Sequence, residues 1–289
     1  LGSFLRPVLG AASALKHHSE QVAASLKQRT ERISAVPWEQ QQILDIGCGY
    51  LYPQVVVLQN RVRSIAGVDI CPFWRDGWSA DYSTHRSRGV LYAALRATRD
   101  RLAGWLFYRY CRAKGITVDQ ASYDLSRYDG QTLPFDDATF TCVVSNAVLE
   151  HVEDIDAFAA ETSRVLQPGG IADHLWHNFF SLHGNHLPEE TNIATPWGHL
   201  TGELTPRTAL YPRRPDEISR VFAKYFSVIA IHRADKHHRL SGDNPDFEEE
   251  GTQLYEGALR RRPELGEYPR ELLLTRSYVI QVRKPVAAD

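Results

Sequence analysis

Ile43, Leu44 and Ile46 form a short apolar run that stops abruptly at Gly47-Cys48-Gly49. Such a run meeting two glycines is the pattern of a parallel strand, covered on both faces, entering a tight turn. Glycine there admits turn geometry and lets the backbone approach a ligand with no β-carbon in the way. The third glycine of a dinucleotide fingerprint is absent, since Pro53 and Gln54 follow instead. About twenty residues on, Ser64–Val68 reads as a second strand ending in Asp69, where a carboxylate can accept both hydroxyls of a ribose. Strand, glycine turn, helix, strand and acid make a nucleoside-binding βαβ unit.

The run from Tyr123 to Gly170 carries an acid ahead of L-P-F, an F-x-x-V-x-S strand, an L-E-H-V loop and a helix ending R-V-L-x-P-G-G, in that order. From Gln41 to His177 the chain thus resembles the class I S-adenosylmethionine-dependent methyltransferases, with a core of the bacterial type 11 kind. The resemblance implies an α/β fold: a Rossmann-like, doubly wound seven-stranded sheet, mostly parallel with an antiparallel last strand and helices on both faces. It implies S-adenosyl-L-methionine as cofactor. Asp45, Gly47 and Gly49 would shape the pocket for its methionine end, Asp69 would hold the ribose with Ile70 beside it, and Asp129 and Gly130 would match the adenine loop. Ser145 and Asn146 would line the face of methyl transfer. The blander roles are a turn residue for Asp45 and a cap ahead of Cys71-Pro72 for Asp69. His151 occurs in the family whatever the acceptor, so a structural role in the loop stands beside a catalytic one.

At 289 residues and 43% hydrophobic, the chain is expected to form one methyltransferase domain. Residues 1–40 read as a helical cap, with the first fifteen as an amphipathic helix or a remnant signal peptide. Residues 41–69 and 116–177 form the cofactor-binding core, with strands near 42–46, 64–69, 121–125, 139–145 and 170–177. Residues 70–115 are a basic helical insertion, 178–215 a histidine-rich acceptor loop, and 216–289 the closing strands. Within the last segment, residues 235–270 read as a polar surface insertion, disordered in part. Four widely spaced cysteines without a C-x-x-C pair argue against a zinc knuckle or disulfide framework and fit a cytoplasmic location. The formal net charge of -2 gives no general pull on polyanions, so no nucleic-acid partner is expected, and no run is long and apolar enough to span a bilayer.

Within the insertion a helix is expected over Gly89–Ala113, with Leu91, Leu95, Leu102, Trp105 and Leu106 near one face. Arg86, Arg88, Arg96, Arg99, Arg101, Arg109, Arg112 and Lys114 surround a lone acid, Asp100. Docking of the apolar face on the core, a homodimer, a membrane contact and attraction of an anionic acceptor are the readings this allows.

Asp173–Glu203 holds five of the twelve histidines, His174, His177, His183, His186 and His199. This connection faces the transferable methyl in the family, so these residues and His151 are the candidates for catalysis. Methyl transfer from a sulfonium needs mainly orientation, but a hydroxyl acceptor gains from a general base or a bound metal. For a divalent ion such as Mg²⁺, His183, His186 and Glu203 are possible ligands, although no known spacing is matched. The expected activity is O-methylation of a polar small molecule or a glycan, a sugar among them. Carboxyl or amine methylation, and a binding subunit without catalysis, are the alternatives.

Overall fold

The structure, a computed structural model, describes residues 21–206, 208–236, 238–241 and 247–286. The helix or leader expected in the first fifteen residues, and part of the polar insertion, lie outside them. Two compact units divide at Val143/Val144.

In the first unit, helix α1 (Ala23–Ile33) precedes strand β1 (Gln42–Ile46), helix α2 (Pro53–Leu58) and strand β2 (Ser64–Asp69). Helices α3 (Trp78–His85) and α4 (Val90–Ala113) and strand β3 (Asp124–Arg127) follow. β1 pairs in parallel with β2, Asp45 opposite Gly67, and β2 pairs in parallel with β3. Gly67 is required by packing: a β-carbon there would lie 2.9 Å from Cys48 Sγ, Val55 and Leu125 side-chain atoms. β3 starts three residues later than expected. The Asp119 side chain accepts from the Ala121 amide and Ser122 N donates to the Asp119 carbonyl, so a turn occupies the start of the expected strand.

α4 spans 24 residues and is apolar on two opposite sides. The side covered by the fold is the one rich in small residues: Ala93, Ala97, Gly104, Phe107, Tyr108 and Cys111 are buried. The leucine-rich side, for which docking on the core is one of the readings, is open, with Leu91 73%, Leu95 49%, Leu102 40% and Trp105 48% exposed. The reason is close approach: the Trp74 indole lies where a β-carbon on Gly104 would be, 2.1 Å from Nε1. Several of the basic residues are engaged within the unit. Arg96 and Arg99 pair with Asp100, and Arg101 stacks its guanidinium 3.9 Å from the Trp74 ring centroid.

Strand β4 (Phe140–Asn146) carries the division between the units. In the second unit, helix α5 (Ile155–Val165) begins where Asp154 accepts hydrogen bonds from the Asp156 and Ala157 amides. Strand β5 (Leu166–His177) follows at once. It starts before the expected position because the Pro168-Gly169-Gly170 run is itself paired, Gly169 N to Lys284 O at 3.0 Å and Lys284 N to Gly170 O at 2.9 Å. Helices α6 (Glu189–Ala194) and α7 (Pro215–Phe222), strand β6 (Ser227–Ala234), helices α8 (Thr252–Arg261) and α9 (Arg270–Leu274) and strand β7 (Ser277–Arg283) complete it. In the polar insertion, the described residues from 247 onward include a packed helix rather than a loose loop. Tyr255 and Ala258 of α8 pack with Leu182, Trp197, Leu265, Leu273 and Leu274 in one buried cluster.

The strand order is β3-β2-β1-β4-β5-β7-β6, with β7 antiparallel to both β5 and β6. This is the Rossmann-like, doubly wound α/β sheet that the sequence implies, with helices on both faces. Among the described residues no helix is long and apolar enough to cross a membrane, and all four cysteines are free.

Candidate active site

The glycine turn of the first unit is built by β2. The amides of Gly47 and Cys48 both donate to the Val68 carbonyl, at 2.8 and 3.1 Å. Gly49 N then donates to Asp69 Oδ2 at 2.8 Å, and Cys71 N to Asp69 Oδ1 at 2.8 Å. Gly47 and Gly49 have φ of +71° and +79°, which favours glycine. A β-carbon on Gly49 would meet nothing within 4 Å, so open space faces it. Asp45 is buried beneath the turn, and its Oδ2 has no hydrogen-bond partner. Burial, then the charge of Asp69, pushes its carboxyl up to about 8.

Ile70, just beyond β2, is 61% exposed, an apolar side chain left bare at a strand end. Asp129 turns the loop after β3: its Oδ1 accepts from the amides of Gln131 and Thr132 at 2.8 and 2.9 Å. These bonds hold its carboxyl below the usual range. Gly130 has φ of +87° and open space ahead of it. Tyr128 N donates to the Asp69 carbonyl and Arg127 to that of Ile70, so the ends of β2 and β3 are tied together. The orphaned Asp45 oxygen and the open glycine turn fit the polar groups of a nucleoside cofactor, and the bare Ile70 fits its base.

In the second unit five of the six candidate histidines fall into two groups. His174 is fully buried on β5, shares a hydrogen bond of 2.8 Å with Ser145 Oγ, and packs against Phe158 and Phe222. Burial lowers its imidazole to about 4. His199 is buried too, its Nε2 bonded to the Phe179 carbonyl and its Nδ1 facing the Asn185 amide. These two, and Ser145 with them, hold the unit together. Asn146 Oδ1, at the end of β4, is buried without a partner. His183 bonds Glu250 at 2.8 Å, and Glu203 pairs with Arg262 and Thr201, so neither joins His186 in a ligand set. His183, Glu250 and Arg276 line a cavity of about 670 Å³, together with Glu189, Lys236, Glu248 and Glu249.

His151, His177 and His186 form the second group, gathered around Glu150. His177 Nδ1 lies 3.2 Å from Glu150 Oε1 and 3.3 Å from His186 Nε2, and His186 Nε2 lies 3.9 Å from the same oxygen. The His151 and His186 ring centroids are 5.1 Å apart. Among the described residues, Glu150, His177 and His186, without His151, are the group of histidine, cysteine and acid side chains whose ligand atoms all fall within 4.8 Å of one another. Glu150 is buried, and neither of its oxygens accepts a hydrogen bond of good geometry. Burial alone would raise its carboxyl, but His177 beside it carries it below the usual range. Burial, then His177, lowers His186 to about 4, so its imidazole is neutral at pH 7. His186 also has φ of +57°, an uncommon conformation for a residue with a side chain. Glu150 was legible only as a letter of the L-E-H-V loop; its burial against β5 and the loop after it is a tertiary fact.

His151 is exposed, and its Nδ1 lies 3.0 Å from the Ala209 carbonyl. A carbonyl only accepts, so Nδ1 carries the proton and Nε2 presents a lone pair. The backbone thus sets the tautomer of the neutral ring.

Residues 107–172 match the family described as a methyltransferase domain. None of the curated proteins matches the sequence. Among solved structures, one similar chain comes from the complex of the Haloferax volcanii Trm112 methyltransferase activator with a candidate methyltransferase. It is 15% identical, with 96% of each chain covered and a TM-score of 0.50. Another is an S-adenosylmethionine-dependent methyltransferase from Mesorhizobium loti, 14% identical, covering 91% of this chain and all of the other, 100%, with a TM-score of 0.47. A third is the [4+2]-cyclase SpnF, 15% identical over 91% of this chain and 80% of the other, with a TM-score of 0.48. The matched segment of residues 107–172, the strand order and the glycine turn braced by Asp69 are together consistent with the class I S-adenosylmethionine-dependent methyltransferases.

Proposed function

We propose that the protein is an O-methyltransferase that transfers a methyl group to a hydroxyl of a polar small molecule or glycan. The observation that carries this reading is His151, exposed and held by the Ala209 carbonyl in the tautomer that leaves Nε2 free to take a proton. An amine would need no such base.

S-adenosylmethionine, when bound, supplies a methyl group on a good leaving group. The protein's own part is to hold and orient. Asp69 has a second lone pair on each oxygen beyond its bonds to Gly49 and Cys71, enough to receive ribose hydroxyls. The Gly47 and Gly49 turn gives close backbone approach, the Asp45 orphan oxygen waits for a polar group, and Asp129-Gly130 shapes the loop beside Ile70. On the acceptor side, His151 Nε2 takes the hydroxyl proton while Glu150, His177 and His186 beside it fix the electrostatic surroundings. The charged cavity lined by His183, Lys236, Glu250 and Arg276 favours an acceptor rich in polar groups over a hydrocarbon.

The test is a screen with methyl-labelled cofactor against sugars, sugar phosphates, carboxylic acids and amines, followed by His151→Gln on whichever acceptor is labelled. The expected result is labelling of a hydroxyl compound and a loss in kcat of about 10² to 10⁴ with cofactor affinity unchanged. Labelling of an amine or acid, with His151→Gln near normal, would replace this reading with N- or carboxyl methylation.

A further inference from the structure

We propose that Glu150, His177 and His186 form a binding site for a divalent transition ion of the zinc type, held by two imidazoles and one carboxylate. The three donor atoms already stand as a ligand set: Nδ1 of His177, Nε2 of His186 and Oε1 of Glu150 are separated by 3.2, 3.3 and 3.9 Å. Four-coordinate zinc with bonds of about 2.0–2.2 Å places neighbouring ligands about 3.3–3.5 Å apart. Two edges of the triangle are at that spacing, and the third closes with a small rotation of one ring.

The carboxylate needs such a partner. Glu150 is 3% exposed, and both of its oxygens lack a hydrogen bond of proper geometry, a costly state for a buried anion. The competing arrangement is a hydrogen-bonded triad without an ion. It would ask the one Nδ1 proton of His177 to serve Glu150 and His186 together, at 3.2 and 3.3 Å, and would leave the second Glu150 oxygen bare. An ion among the three accepts a lone pair from each of Nδ1, Nε2 and Oε1 at once and offsets the buried charge.

The donor chemistry also selects the ion. Two nitrogen ligands and one carboxylate suit zinc and its transition-series neighbours, whereas Mg²⁺ prefers an all-oxygen shell. Three protein ligands leave a position for water or an acceptor oxygen. His183 and Glu203, spoken for by Glu250 and Arg262, are not needed. Use of that open position on an acceptor hydroxyl rests on the O-methyl transfer reading; binding of the ion does not.

The experiment is calorimetric titration of the full chain, metal-free and without cofactor, with Zn²⁺ and with Mg²⁺, and replacement of Zn²⁺ by Co²⁺ to read the visible spectrum. One Zn²⁺ per chain is expected, with Kd on the order of micromolar or tighter, an intense four-coordinate Co²⁺ spectrum, and no response to Mg²⁺. Glu150→Gln, His177→Gln and His186→Gln should each weaken Zn²⁺ at least about 10- to 100-fold, while His183→Gln leaves it unchanged. Because a ligand variant can lose stability, the wild-type chain gives a second readout: Zn²⁺ should raise its Tm and a chelator should reverse the rise. Absence of stoichiometric Zn²⁺ binding, binding that survives all three variants, or a preference for Mg²⁺ would overturn the proposal. Since none of these readouts uses the cofactor, failure here is separable from failure of the methyltransferase reading.

Discussion

Asp69 has the acceptors to serve two needs with one carboxylate. Its oxygens accept the amides of Gly49 and Cys71, which sets the glycine turn, and each keeps a lone pair for a ligand. The ribose role and the capping role that compete in the sequence are therefore compatible in one side chain. Asp69→Ala should weaken S-adenosylmethionine binding by about 1–3 kcal/mol, through lost hydroxyl acceptors and a loosened turn. Calorimetry with the demethylated product reads it, and an unchanged Kd would refute the assignment. The histidines teach the opposite lesson at the same scale. Crowding of His174, His177, His183, His186 and His199 in one segment marks a special region, yet the segment cannot say which rings face a core. His174 lies between Phe158 and Phe222 and His199 caps a carbonyl, whereas His177 and His186 meet the acid that precedes His151.

Among the elements, α4 departs most from its sequence pattern. Its leucine row obeys helical spacing and would ordinarily mark the buried side. The fold buries the opposite side because Ala93, Ala97 and Gly104 admit the neighbouring Trp74 more closely than leucines can. Gly104→Ala should cost about 1–3 kcal/mol, since the new methyl would overlap the indole. Leu102→Ser, on the 40% exposed row, should change stability by less than about 0.5 kcal/mol. Chemical denaturation of both variants checks it; equal costs would mean the two sides are wrongly assigned. The insertion that contains α8 makes a related point. Its acids and prolines suggest a loose surface loop, but Tyr255 and Ala258 find Trp197 and Leu273 to pack on, and these come from separate segments.

For the whole molecule, buried titrating groups set a pH window. His174 and His186 are lowered to about 4 by burial, so between their unfolded value near 6.5 and about 4 the unfolded chain binds more protons and stability falls with falling pH. Asp45 is raised to about 8, so from its unfolded value near 3.8 up to about 8 the folded chain holds the extra proton and stability falls as pH rises. Among these three groups the two histidines outweigh the one acid below about pH 6.5, and above it Asp45 sets the slope. Each proton contributes at most about 1.4 kcal/mol per pH unit. Tm should therefore peak near about pH 6.5; Asp45→Asn should remove the alkaline decline, and His174→Gln should soften the acid one. A Tm profile unchanged by both substitutions would show that neither group titrates as its burial requires.

By itself the sequence determined what depends on neighbours along the chain: strands ending in glycine or acid, turns at Gly47-Cys48-Gly49 and Asp129-Gly130, and the alternation that winds the sheet. Apolar runs, turn residues and helix periods are local, and β1, β2 and β4 lie within a residue of where the letters place them. Only the tertiary structure decided which side of α4 is covered, which histidines stay in the core, and that Glu150 faces His177 and His186. Those outcomes depend on residues far apart in sequence sharing a small volume, where a missing β-carbon on Gly104 or the burial of one carboxylate outweighs any local preference.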